Sequence, residues 1–280
     1  MAAEDPGSYV EVQGLRLHYV ERGSGEPVLL LHGWPTSSFL WRNVVGLIEP
    51  VARTIALDLP GFGRSDKPLD ASYGFRFYAD ILDGFLEALG IDRTALVVHD
   101  LGGPVGLYWA CRRRERIARL ALLNTLVYPR PSWAVVAFVL AARTPGIRSW
   151  LSSPRGLRYS MRLGVANRAR LSEEAIRGVQ EPFASRDARR ALLRAGTRLH
   201  PKGFEEIAAA LPSFEVPVLL AYGERDRILP DVAKTMARVK RDLPQAALRP
   251  LPDCGHFLQE ERPKELGEML AAFLGGQGAG

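Results

Sequence analysis

The stretch Ala95-Leu-Val-Val-His99-Asp100-Leu101-Gly102-Gly103-Pro104-Val-Gly-Leu-Tyr-Trp-Ala110 constrains this chain more than any other. Its first half is rich in β-branched residues and reads as a buried strand, and the part beginning at Pro104 reads as a helix with proline in its first turn. One sharp turn joins them. The pattern G-x-S-x-G marks such a strand-to-helix elbow, strained so that its central side chain stands out at the carboxyl edge of a parallel sheet. Asp100 holds the central place here, Gly102 and Gly103 allow the strand and helix to approach, and Val98 stands where the first glycine of the pattern falls.

An aspartate at that place changes the chemistry. A carboxylate attacking an acyl carbon would give an anhydride, whereas displacement at sp3 carbon gives an ordinary ester, so Asp100 suits the opening of carbon–halogen bonds or epoxides. The plainer role is a helix cap, since Asp at a helix N-terminus is favoured both as a cap and against the dipole.

At 280 residues and 47% hydrophobic, the chain can bury one large core with room for an inserted subdomain. No apolar run reaches the roughly 18 residues of a membrane span. The start, Met-Ala-Ala-Glu-Asp-Pro-Gly, is acidic and lacks a basic-then-apolar leader, so a cytoplasmic setting is expected. Cys111 and Cys254 are too few and too far apart for a disulfide framework or a thiolate metal site, and both read as free thiols. The net charge of +6 is local: residues 141–200 hold thirteen arginines and no lysine against four acids. These arginines fall at helical spacings among alanine and leucine, without interleaved aromatics, which argues against a nucleic-acid surface and for a solvated helical face.

Residues 8–21 alternate apolar and polar on both sides of Gln13-Gly14, the mark of a hairpin with one exposed face. The run Pro27-Val-Leu-Leu-Leu-His32-Gly33-Trp34-Pro35 is continuously apolar, as in a strand buried on both faces, and its end can offer the Trp34 N–H to a developing oxyanion. Arg53 to Asp58 and Ile117 to Asn124 read as further strands, with a helix from Phe77 to Leu89. The loop from Leu59 to Pro68 has two glycines one residue apart but no third opening a helix, so it reads as scaffold rather than a phosphate site. After Asn124 the alternation stops, and residues 127–201 read as an inserted helical cap between core segments 1–126 and 202–280. Strands resume at Val216 and Ala247, and a Gly-rich tail after Leu274 is expected to be disordered.

Asp226 falls just past one of these strands and His256 just past the next. The order Asp100, Asp226, His256 is nucleophile, acid, histidine, and all three lie at carboxyl ends of strands, where open parallel sheets bind ligands. His99 neighbours Asp100 but points to the opposite face of its strand, and it reads as structural.

On the blocks His32-Gly-Trp-Pro-Thr-Ser-Ser-Phe-Leu-Trp-Arg, Asp58-Leu-Pro-Gly-Phe-Gly-Arg-Ser-Asp-Lys-Pro, Val97-Val-His-Asp-Leu-Gly-Gly and Gly255-His-Phe-Leu-Gln-Glu, the chain resembles the haloalkane dehalogenase and epoxide hydrolase branch of the α/β-hydrolase superfamily over nearly its whole length. The resemblance implies an α/β-hydrolase fold, a mostly parallel eight-stranded sheet flanked by helices, with a helical cap. It implies a hydrolase with Asp100 as nucleophile, His256 as base and Asp226 as its acid. The Trp34 and Leu101 backbone N–H groups would form the oxyanion hole. Neither a metal nor an organic cofactor is implied. The expected partner is a small-molecule substrate, with no nucleic acid and no membrane, and the chain is expected to be a monomer or a weak homodimer.

The departures concern the leaving group. Dehalogenases resembling this chain place a tryptophan directly after the nucleophile to grip halide, and here that residue is Leu101. Trp34, Trp150, Trp133 and Tyr159 are the candidate substrate or leaving-group binders. Epoxide hydrolases use two cap tyrosines, and this cap offers Tyr128 and Tyr159 but none between Ser160 and Ala221, which disfavours epoxide hydrolysis. A non-hydrolytic binding or luminescence scaffold is a further alternative. The arginine-rich cap admits an anionic substrate such as a haloacid.

Overall fold

The computed structural model describes residues 7–276. The acidic start and the end of the Gly-rich tail, residues 1–6 and 277–280, lie outside the described residues.

Eight strands form one sheet in the order β1-β2-β4-β3-β5-β6-β7-β8. They are β1 (Ser8–Val12), β2 (Leu15–Arg22), β3 (Pro27–Leu31), β4 (Arg53–Leu57), β5 (Thr94–Asp100), β6 (Ile117–Thr125), β7 (Val218–Gly223) and β8 (Ala247–Leu251). The β1–β2 and β2–β4 pairs are antiparallel and the rest parallel. Between them run α1 (Arg42–Ile48), α2 (Phe75–Ala88) and α3 (Gly102–Arg112), and after β7 come α10 (Val232–Asp242), α11 (Leu258–Glu261) and α12 (Pro263–Leu274). The six intervening helices, α4 (Trp133–Arg143), α5 (Ile147–Leu151), α6 (Pro154–Gly164), α7 (Glu173–Gln180), α8 (Arg186–Ala195) and α9 (Pro201–Ala210), form an insertion between β6 and β7.

The continuous apolar runs of the central strands are explained by burial on both faces. Leu29, Leu31, Leu96 and Val98 join one core cluster, while their neighbours Val28, Leu30, Ala95 and Val97 join the other. A smaller cluster of Met161, Val165, Ile176, Val179 and Phe257 seats the insertion against the residue after His256. Ser132, Ser153, Ser172 and Ser185 each accept a backbone N–H at the start of α4, α6, α7 and α8, which explains how so proline- and glycine-broken a segment keeps four separate helices. No helix among the described residues is long and apolar enough to cross a membrane.

The loop that sequence reading leaves as scaffold is organised by Asp58, one residue past β4. Its Oδ2 takes the His18 Nδ1 at 2.8 Å and the Arg64 N–H at 2.7 Å, and its Oδ1 takes the Ser38 N–H at 2.6 Å. Burial alone would raise its pKa, but the hydrogen bond and charge of His18, the charge of His32 and the Arg64 N–H outweigh it and hold it at about 2. A pKa below the ordinary 3.8 means that the stabilisation is complete above that value and is lost as pH falls toward 2. Asp58→Ala, which orphans buried donors, is expected to lower stability by about 3–5 kcal/mol at neutral pH. Chemical denaturation reads the loss, and the gap to the parent narrows below pH 3.8.

Candidate active site

Asp100 ends β5 with φ at +48°, a left-handed conformation that a residue with a Cβ adopts only when its surroundings enforce it. The Thr125 hydroxyl donates to the Asp100 carbonyl at 2.6 Å. Three glycines of α3 let that helix press against the sheet: a Cβ at Gly102 would lie 2.5 Å from the His32 carbonyl, one at Gly103 would meet the Thr125 hydroxyl, and one at Gly106 would lie 2.8 Å from Val98 Cγ1. The last contact explains the departure at Val98. The space that the usual first glycine leaves on the strand is supplied here by Gly106 on the helix.

The Asp100 carboxylate is divided into two unlike oxygens. Oδ2 takes the Trp34 backbone N–H at 2.9 Å, and the Leu101 N–H also bonds the carboxylate. Gly33 makes this approach possible, because a Cβ there would lie 2.3 Å from that of Asp100. Oδ1 lies 3.8 Å from His256 Nε2, beyond hydrogen-bond range, and that nitrogen is buried with no partner. Burial raises the pKa of Asp100 above the ordinary carboxylate value, against the opposing pull of His256 and the two N–H groups.

His256 Nδ1 meets Asp226 Oδ2 at 2.8 Å. Burial disfavours the imidazolium, but the charge and hydrogen bond of Asp226, then Asp100, outweigh burial and raise the histidine pKa. Burial likewise pushes Asp226 up, and the charge and hydrogen bond of His256, helped by the Leu229 N–H and Asn124, bring its pKa below the ordinary value. Asn124 was legible only as a strand end. It has φ +35°, its amide donates to Asp226 Oδ2 at 2.6 Å, and its carbonyl oxygen takes the Gly223 N–H at 3.0 Å. The Ile228 and Leu229 N–H groups fill Asp226 Oδ1 at 2.7 and 2.8 Å.

The histidine backbone is fixed from two sides. The His256 N–H donates to the Gly164 carbonyl of the insertion at 2.6 Å, and His99 Nε2–H donates to the His256 carbonyl at 2.9 Å. Burial, then the neighbouring His256, lowers the His99 pKa to about 3, so His99 stays neutral and keeps this one tautomer.

The structure brings Asp100, His256, Asp226, Trp34 and Leu101 together. It does not bring the other aromatic candidates to them. Trp133 is 74% exposed, and Trp150 and Tyr159 pack on each other at 5.5 Å between ring centres, both about half exposed. Rings so open to water do not form the enclosed donor that a leaving group needs. Tyr128 gives its hydroxyl to Asp242 at 2.6 Å. Trp34 differs: its indole Nε1 is buried without a partner, and its ring meets Phe138 of α4 edge to face at 4.7 Å.

The family model describing the alpha/beta hydrolase fold matches residues 26–263. A haloalkane dehalogenase from Sphingobium indicum is 32% identical over 95% of this chain and 94% of its own length. A cis-3-alkyl-4-alkyloxetan-2-one decarboxylase from Shewanella oneidensis is 30% identical over 95% of this chain and 87% of its own. The crystal structure of haloalkane dehalogenase DbeA from Bradyrhizobium elkani superposes with a TM-score of 0.86 at 30% identity, covering 96% of this chain and 97% of that one. The chain belongs to the α/β-hydrolase family, in its dehalogenase-like branch. It is a hydrolase built on the fold expected from the sequence, with a mostly parallel eight-stranded sheet and a helical insertion.

Proposed function

We propose that this protein hydrolyses carbon–halogen bonds through an ester on Asp100, with residues 127–201 as the cap over a small organic substrate. The observation that carries this reading is the division of the Asp100 carboxylate: Oδ2 fixed by backbone N–H groups, Oδ1 unbonded to His256 and 3.8 Å from its Nε2. Oδ1 forms a bond to the sp3 carbon as the carbon–halogen bond breaks and its electron pair leaves with halide. Oδ2 becomes the ester carbonyl oxygen, already held where negative charge next develops.

Water then adds to Cγ of Asp100 while His256 Nε2 takes its proton, and the Trp34 and Leu101 N–H groups stabilise the oxyanion on Oδ2. On collapse the imidazolium of His256 returns its proton to the departing alcohol oxygen, and Asp100 regains its carboxylate as the remaining proton passes to solvent. Asp226, fed by Asn124 and two backbone N–H groups, orients the imidazole and offsets its charge. Leu101 offers no side-chain donor to halide. The buried indole N–H of Trp34 supplies one, since an unsatisfied buried donor costs about 1–3 kcal/mol that a leaving anion recovers.

Asp100→Asn is expected to release no halide from bromoalkanes. His256→Ala is expected to release one equivalent and to carry an alkyl ester on Asp100, read by mass spectrometry. Diol formation from epoxides without halide release overturns the reading in favour of an epoxide hydrolase, and ligand binding with no adduct favours a non-hydrolytic scaffold. Because the base must be neutral and its pKa is raised above 6.5, turnover falls as pH drops through a value above 6.5 while ester accumulates. Trp34→Phe keeps the backbone N–H and removes the indole donor. It is expected to slow the first bromide release by roughly ten- to a hundredfold, the worth of one charge-assisted hydrogen bond, with ester hydrolysis unchanged in rapid-quench traces.

A further inference from the structure

Seven of the thirteen arginines between residues 141 and 200 line one cleft of about 1080 Å³ between α4, α5 and α8, together with Ser149, Ser152, Ser153 and Thr197. Asp187 is the carboxylate among the lining residues, and Arg190 takes it at 3.3 Å. The guanidinium groups of Arg143, Arg148, Arg186, Arg194 and Arg198 meet no carboxylate among the described residues. Arg194 is half-buried, and its Nε is shut from solvent without a partner. Guanidinium groups gathered with hydroxyls in a concave surface suit a planar oxyanion, which they bind in a bidentate fork.

Neighbours in sequence of the cleft's lining residues pack on the Trp34 ring. Ala142 and Arg194 line the cleft, and one turn before Ala142 on α4 is Phe138, which packs on Trp34. Two residues beyond Arg194, a Cβ at Gly196 would lie 2.9 Å from the Trp34 ring. The Trp34 backbone in turn holds Asp100. We infer that the arginine cleft receives the carboxylate of a halogenated carboxylic acid whose halogen-bearing carbon reaches Asp100, an inference that rests on the dehalogenase reading above.

The test compares bromide release from bromohexane with that from hexanoate brominated on its last carbon. The acid is expected to have a kcat/KM about tenfold higher or more. The advantage should shrink at high ionic strength, as screening requires, and be lost in Arg194→Gln and in the more exposed Arg198→Gln while bromohexane turnover stays at the parent rate. Equal kcat/KM for the two substrates overturns the inference and leaves the dehalogenase reading standing, as does an advantage that survives both variants and salt. No bromide from either substrate, with no adduct on Asp100 in His256→Ala, overturns both.

A separate observation concerns Glu261, a fully buried carboxylate at the end of α11. Its Oε1 takes the N–H of Gly255 at 2.7 Å and of Ala166 at 3.0 Å, and its Oε2 takes the Asn167 N–H at 2.9 Å. Gly255 precedes His256, and Ala166 and Asn167 follow the Gly164 whose carbonyl takes the His256 N–H. Arg170 also donates to the Glu261 carbonyl. One side chain therefore ties the histidine loop to the insertion. The geometry points to Glu261 as a positioning residue for His256, acting on ester hydrolysis and not on halide displacement.

Glu261→Gln turns one acceptor oxygen into a donor facing these N–H groups. First-turnover bromide release is expected to stay within about twofold of the parent, while steady-state turnover falls about tenfold and alkylated Asp100 accumulates. Glu261→Asp, which keeps the charge but shortens the reach, should show the same split to a smaller degree. A parallel fall in both phases, or no change in either, overturns the assignment.

Discussion

A carboxylate held in a left-handed turn is the constraint on which the site depends. Asp100 can stand at φ +48° only because the residues around it leave no other arrangement: Thr125 fixes its carbonyl, Gly33 admits its Cβ, and the glycines of α3 let the helix begin hard against β3 and β6. Strain of this kind costs on the order of 1–3 kcal/mol, and the folded core offsets it. In return the turn holds the carboxylate against two backbone N–H groups before any substrate arrives. For the proposed reaction this is preorganisation in the electrostatic sense, because the dipoles would need no reorientation when charge moves onto Oδ2.

The charges of the site are arranged in series. Two buried carboxylates face one imidazole from opposite nitrogens, Asp226 in contact at 2.8 Å and Asp100 at 3.8 Å. Asp226 is saturated by donors and its pKa lies low, whereas Asp100 is raised by burial, so the two carboxylates are unlike although both are buried. In the proposed reaction the fully bonded one serves as a fixed counter-charge, and the one with an unoccupied oxygen is the group that attacks.

Much of this was legible in the residues, for definite reasons. Asp100 closes one strand and Asp226 and His256 fall just past two later ones, and a parallel sheet puts such positions on one edge whatever the loops do. What stayed hidden are groups that act through contacts between segments far apart in the chain or across a helix–strand interface. Asn124, Glu261 and Gly106 show no spacing pattern: Asn124 reaches Gly223 99 residues away, Glu261 joins Gly255 six residues away to Asn167 94 residues away, and Gly106 acts across a helix–strand contact. The aromatic candidates of the insertion misled for another reason. The α4 sequence is apolar nearly all round, so periodicity cannot say which face packs, and only Ala142 of that helix is buried while Trp133 is open to water. Most of the arginines lie on helices as read, but a helix wheel cannot show that α4, α5 and α8 turn six of them toward one cleft.

The link between the histidine loop and the insertion bears on how such proteins diversify. A constant core with an exchangeable insertion would let substrate choice change while the chemistry is preserved. Here the division does not follow the chain: the carbonyl that receives the His256 N–H and two of the three N–H groups on Glu261 belong to the insertion. Exchanging the insertion on this core would discard part of what holds His256 in place. By these bonds the insertion and residues 255–261 form one mechanical unit, and recombination that cuts between them would break the contacts that fix the His256 backbone.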